Sequence, residues 1–352
     1  MSDNKSDEEQ QQQMEEIFIC ADVLLGVFTF LDPVELGLKL TLISDRLDVL
    51  VDVHFKSRKW SLSWMEIRRA IGGNDGAQIV NKRSGEVLPI PQRPLPNKVI
   101  GFEEIQISYV DQTVIEFLQR IRRLFDSAET TVYISTSEDQ SRSMDIIWQK
   151  IWPLFNDNIC GFFLSYSRLD CLLQFSPTIL CNCAKLRSID SGGIFPAFSA
   201  EDNAGASSRQ TVGKWLLTPR GDGFPKMLFC GFYSEGMEGL KRSFVNASEP
   251  VNFIIITLNY WGDEEDPLVP FELNNNATGE RLTFRRFDED FWLLVRCPIG
   301  REEDKWTNWE EEAIGWTWCR QWNRILIDFK DTDIGDGMLD EKDGGGPSEP
   351  KK

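Results

Sequence analysis

The chain has one histidine in 352 residues, His54. A Ser/His or Cys/His nucleophilic mechanism would have to use it. It falls at the end of a predicted helix beside Phe55 and Lys56, the place of a helix C-terminal or surface residue rather than of a general base. No apolar run reaches 18 residues, so no membrane span is expected. The opening MSDNKSDEEQQQQMEE is acidic and polar where a secretory signal would be basic and then apolar. The eight cysteines, at 20, 160, 171, 181, 183, 230, 297 and 319, follow no regular framework. A reducing compartment, cytoplasm or nucleus, suits that scatter. Cys181-Asn-Cys183 is too tight for a zinc pair and has no second pair to complete it. No GxxxxGK[ST] loop is present, and Gly231-Phe-Tyr-Ser234-Glu-Gly236 lacks the glycine two residues before serine that a nucleophile elbow needs. Neither cofactor nor metal is expected, and an enzyme is not. A carboxylate dyad is left as the one catalytic alternative.

Positive charge is scarce as well. The formal net charge is -18, which opposes nucleic-acid binding, because that requires clustered Lys and Arg. Residues 1–16 and 331–352 together hold -9 of it. Low hydrophobicity combined with charge predicts disordered acidic tails over 1–14 and 331–352.

Between the tails the pattern changes three times. Residues 15–60 read as three helices. Val23, Leu24, Val27, Phe28 and Leu31 keep helical spacing, Asp32-Pro33-Val-Glu35 starts a second helix carrying Leu36, Leu40 and Ile43, and a third runs from Ser44 or Asp45. Residues 61–99 hold GGNDG and four prolines, 89, 91, 94 and 96, which forbid continuous helix or central strand. A connector marking a domain boundary is expected there. From 100 to 330, β-like and helix-like stretches alternate. Strand centres fall at 105–109, 132–134, 162–164, 186–189, 227–229 and 253–256, with β hairpins near 281–284 and 291–295 and a last strand at 325–327. Steps of 25–30 residues, each a strand plus a helix, predict an α/β repeat domain of solenoid type, similar in plan to leucine-rich repeats but without their Leu-x-x-Leu-x-Leu signature. An ordinary α/β sheet covered by helices is the alternative. Six of the twelve tryptophans lie between 292 and 322, as core or as an aromatic contact surface.

On a helical wheel, Val23, Leu24, Val27, Phe28, Phe30 and Leu31 span about 160°, wider than the ~100° stripe of an ordinary surface helix. One intramolecular neighbour would not cover that arc, so part of it is expected to dock on another protein. A wholly intramolecular helical cap is the competing reading.

The run Ile19-Cys20-Ala-Asp-Val23-Leu24-Leu-Gly-Val27-Phe28-Thr-Phe-Leu31-Asp32-Pro33-Val-Glu-Leu36-Gly-Leu38-Lys-Leu40 resembles an F-box, with Cys20 where the usual pattern has proline. Lys214-Trp-Leu-Leu-Thr-Pro219, Pro250-Val-Asn-Phe-Ile254, Leu294-Val-Arg-Cys-Pro298 and Lys305-Trp-Thr-Asn-Trp309-Glu resemble the expanded F-box families of plant-parasitic nematodes. That resemblance implies a small helical module binding a Skp-type adaptor and, through it, a cullin ubiquitin ligase, in ubiquitin-dependent protein degradation. It places the adaptor contact on Ile19, Cys20, Val23, Leu24, Val27, Phe28, Leu31, Pro33, Leu36 and Leu40, and leaves the repeat domain to hold a client protein. The alternative is a stand-alone α/β repeat scaffold for protein–protein interaction, without ligase recruitment.

Overall fold

The computed structural model describes residues 19–338 except 57–59, 72–75, 98, 128, 138 and 259–267. The tail readings over 1–14 and 339–352, and most of GGNDG, lie outside the described residues. The chain opens with α1 (Ala21–Phe28), α2 (Pro33–Glu35), a π-helical turn (Leu36–Leu40), α3 (Thr41–Ile43) and α4 (Asp45–Lys56). Strands β1 (Trp60–Arg69), β2 (Ala77–Asn81), β3 (Val87–Pro89) and β4 (Val99–Ile107) follow. After α5 (Gln112–Arg120) and α6 (Arg122–Ser127) come β5 (Thr130–Ile134), α7 (Ser141–Ile146), β6 (Ile159–Phe163), α8 (Tyr166–Phe175), α9 (Ile179–Asn182) and β7 (Ser188–Asp190). The rest is α10 (Ser208–Leu217), β8 (Lys226–Gly231), α11 (Ser234–Val245), β9 (Phe253–Leu258), β10 (Phe271–Asn275), β11 (Glu280–Arg286), β12 (Phe291–Pro298), α12 (Glu303–Gly315) and β13 (Arg324–Ile327). Among the described residues no helix is long and apolar enough to cross a membrane.

The strands form one mixed sheet in the order β10-β11-β12-β9-β8-β7-β6-β5-β13-β4-β1-β2-β3. From β4 to β9 the parallel strands stand in chain order, with β13 inserted between β4 and β5. Each crossover steps the same way, and right-handedness therefore puts the connecting helices on one face. Alternation along the strands agrees. Leu228, Phe253, Ile255 and Leu294 belong to the large core beneath those helices, whereas Met227, Ile254, Ile256, Leu293 and Val295 belong to a separate core under Trp306, Ala313 and Trp316 of the α12 region. The tryptophan-rich segment thus covers part of the opposite face. Trp306 and Trp316 are buried while Trp322 is exposed.

Three expectations change. Residues 61–99 are not a bare connector: Trp60–Arg69 is a strand parallel to β4, and β2 and β3 extend the same sheet by antiparallel pairing. The prolines remain obeyed, since Pro89 sits in the edge strand β3 and the others follow it. A uniform repeat stack is replaced by a mixed sheet, because antiparallel β10–β12 and the late β13 break the strand–helix period. The expected tail from 331 is folded as far as 338. The Asp331 carboxylate accepts from the Ser143 amide and hydroxyl at 2.8 Å, Val110 pairs with Ile334, and Met338 is buried.

Asn323 seats β13. Its Oδ1 accepts from the Phe102 amide at 2.9 Å, its own amide donates to the Phe102 carbonyl at 2.9 Å, and its carbonyl accepts from the Thr131 amide at 3.2 Å. Asn323 has φ 51°, a left-handed geometry that asparagine tolerates better than most side chains. A Cβ at Gly101 would lie 2.6 Å from Asn323 Oδ1, so only glycine admits this approach.

Candidate partner-binding surfaces

In the helical segment, α1 and α4 run alongside in the same direction. Arg46 donates to the Ile19 carbonyl at one end, and the Phe28 ring meets His54 edge-on at 5.7 Å at the other. His54 is not a bare surface residue: its ring also lies 5.0 Å from Trp60 and 6.0 Å from Phe55. The ten sequence-assigned contact residues divide by burial. Phe28 and Leu36 are fully buried and hold the segment to the sheet; Leu24, Leu31, Pro33 and Leu40 are half-buried; Ile19, Cys20, Val23 and Val27 are exposed. Phe28 and Leu36 therefore leave the outer face. The burying neighbours of Phe28 include His54, from within the segment.

Exposed apolar residues outside those ten, among them Phe30 of the apolar arc, join the outer set. Phe30 is 89% exposed, Ile43 and Val49 are each 62% exposed, and Val53 is 40% exposed. The pairing of Ile19 with Arg46 and Phe28 with His54 sets Val23 level with Val49 and Val27 level with Val53. The signal for Val49 and Val53 was present, as valines at i and i+4, but a wheel gives no inward direction.

A second surface is the side of the parallel sheet opposite the connecting helices, where α12 leaves it uncovered. Val132 and Ile134 turn inward, so Tyr133 turns out; Phe162 is core and Phe163 turns out. Tyr133, Phe163 and Trp318 form a half-buried trio with centroids 4.7, 5.9 and 6.3 Å apart. Arg324 lies 5.9 Å over Trp318 and donates to Glu104 at 2.8 Å, which fixes the edge of the trio. Asp190 ends β7 beside it in the sheet. Burial raises its carboxyl above the ordinary range, and the Gly192 amide at 3.2 Å partly opposes the shift.

A cleft of about 1100 Å³ lies on the helix side and is lined by Arg209, Tyr233, Glu235, Arg242 and Glu249 among others. The raised carboxyls lie elsewhere. Glu35 is raised chiefly by its hydrogen bond to Glu86, and Asp190 by burial, and neither lines this cleft. Burial pushes the Cys160 and Cys183 thiols up to about 12 and Cys230 higher still, which keeps them protonated and unreactive. Among the described residues no group of three or more His, Cys, Asp or Glu side chains is placed to hold a metal ion.

Fold and surfaces together define an α/β protein built on one large mixed sheet with a helical segment at its N-terminal side. Compared with family models, with curated proteins and with solved structures, the chain matches none.

Proposed function

We propose that the chain is a non-catalytic adaptor: an F-box-like helical segment binds a Skp-type adaptor of a cullin ubiquitin ligase, and the sheet domain, in this reading a modified repeat array, holds a client protein. The observation that carries the reading is the exposed apolar set Ile19, Val23, Val27, Phe30, Ile43, Val49 and Val53 on one short helical segment. Fully burying a Val or Phe side chain contributes roughly 1.5–3 kcal/mol, so a partner covering even part of this set gains enough to hold it. The aromatic trio at Tyr133, Phe163 and Trp318 supports the client half, because Tyr and Trp dominate interface energetics.

The test is co-purification of the full chain with a Skp-type adaptor, comparing Val23→Asp with Val27→Asp as a double variant against Tyr133→Ala. Loss of adaptor with the first and retention with the second is expected. Equal adaptor recovery from all three proteins refutes the recruiting role and leaves a stand-alone interaction scaffold.

A further inference from the structure

Parallel strands are ordinarily covered on both faces, and here the connecting helices cover one. On the other face, register puts Leu326, Tyr133, Phe163, Asp190 and Phe229 in one row across β13, β5, β6, β7 and β8. Each of the five is only half-buried. The row is apolar or aromatic except at Asp190.

Asp190 sits between two aromatic walls. β7 is three residues long and gives this face only Ser188 and Asp190, whereas the strands on either side give it Phe163 and Phe229, each one strand spacing of about 4.8 Å away. Beyond α12 the backbone at Trp316 and Thr317 is extended, so Trp316 and Trp318 face the same way. Trp316 stacks on Phe229 at 5.3 Å, and Trp318 lies 6.3 Å from Phe163 and 5.9 Å from Tyr133. The two tryptophans thus come down on either side of β7.

The carboxylate between them lacks a counter-ion. Its Oδ1 accepts from the Gly192 amide at 3.2 Å, and no cation among the described residues pairs with it. The arginines that flank this face are engaged elsewhere: Arg187 grips Glu312 through hydrogen bonds of 2.7 and 2.8 Å, and Arg324 donates to Glu104 at 2.8 Å. What satisfies such a position is a group that pairs with the carboxylate and also lies on ring faces. A guanidinium does both, because it is planar, weakly hydrated and matched to a carboxylate; an ammonium is more strongly hydrated and has no flat face.

We infer that Asp190, between the Phe163–Trp318 and Phe229–Trp316 pairs, receives an arginine side chain of the client protein. The inference rests on the reading of this sheet face as the client surface, and it names the group that the client inserts. The formal net charge of -18 draws a basic segment toward the chain.

The experiment titrates the full chain with N-acetylarginine amide, N-acetyllysine amide and the neutral isostere N-acetylcitrulline amide. Tryptophan indole N–H signals are followed by NMR, those of Trp316 and Trp318 being assigned with Trp316→Phe and Trp318→Phe. A saturable shift of the Trp318 signal with the arginine probe, weaker with lysine and absent with citrulline, is expected. Asp190→Asn, which keeps the oxygen that the Gly192 amide needs, should weaken arginine binding at least tenfold with an unchanged melting temperature. Phe163→Leu, which removes a ring and keeps an apolar side chain, should weaken it as well. Equal shifts from citrulline, lysine binding as tight as arginine, binding that survives Asp190→Asn, or shifts confined to other tryptophans overturn the inference. The probes need neither adaptor nor client, so this failure is distinguishable from failed adaptor recovery, which removes the ligase reading and leaves the cation site.

Discussion

The ion pair between Glu280 and Arg296 ties the last hairpins to the body of the sheet, and its removal is the sharpest test of that architecture. The side chains are 1% and 2% exposed, and Arg296 Nη2 and Nε donate to Glu280 Oε2 at 2.6 and 3.2 Å. Glu280 Oε1 also accepts from the Val251 amide at 2.8 Å, and Arg296 Nη2 donates to the Glu249 carbonyl at 3.0 Å. The guanidinium lies 5.2 Å over Phe244 and 6.0 Å over Phe253. Glu280→Ala leaves a buried, uncompensated guanidinium and an unpaired amide, and breaking such a pair costs about 3–5 kcal/mol. That is a large part of the roughly 5–15 kcal/mol by which a domain is stable. Replacing both, Glu280→Leu with Arg296→Met, removes the stranded charge and leaves only the Val251 amide and Glu249 carbonyl to satisfy, at about 1–3 kcal/mol each. The double variant is therefore expected to lose clearly less than the sum of the two single variants. Urea unfolding of wild type, Glu280→Leu, Arg296→Met and the double variant gives the coupling directly. A loss below about 1 kcal/mol for Glu280→Ala, or a double-variant loss equal to the sum of the singles, refutes the reasoning.

Two further outcomes separate inward from outward residues and charged from neutral burial. Phe28→Ala is expected to destabilise by about 3–5 kcal/mol and Val27→Ala by no more than about 0.5 kcal/mol, read by urea unfolding, because only the first empties a packed site. Lys226 donates to the Thr218 carbonyl at 2.6 Å, and burial lowers its pKa from 10.5 to about 8. Between those values the unfolded chain binds more protons than the folded one, so stability should rise with pH from about 8 to 10.5, by at most ~3 kcal/mol. Stability curves measured across that range should lose this rise in Lys226→Met.

Local pattern made the parallel strands legible. Val132 and Ile134 flank Tyr133, Phe162 and Leu164 flank Phe163, and the hairpin strands 281–284 and 291–295 fall inside β11 and β12. What stayed hidden depends on partners far away in the chain. Trp60–Arg69 mixes Ser, Trp and charged residues, and it becomes a strand by lying against β4, whose pairing no local window contains. Residues 331–338 are acidic enough to read as tail, yet Asp331 serves the first turn of α7 and Ile334 bridges to Val110. In the helical segment, spacing identified the apolar residues, but the division of Phe28 from Val27 follows from where α4 and Trp60 lie.

The insertion of β13 has a consequence for biosynthesis. Residues 324–327 separate β4 from β5, so these two strands have no contact with each other through the sheet until a segment made far later in the chain has been synthesised. Closing the sheet waits on a segment more than 200 residues away from Phe102, whose amide Asn323 receives. Chains truncated before β13 should therefore be retained by chaperones.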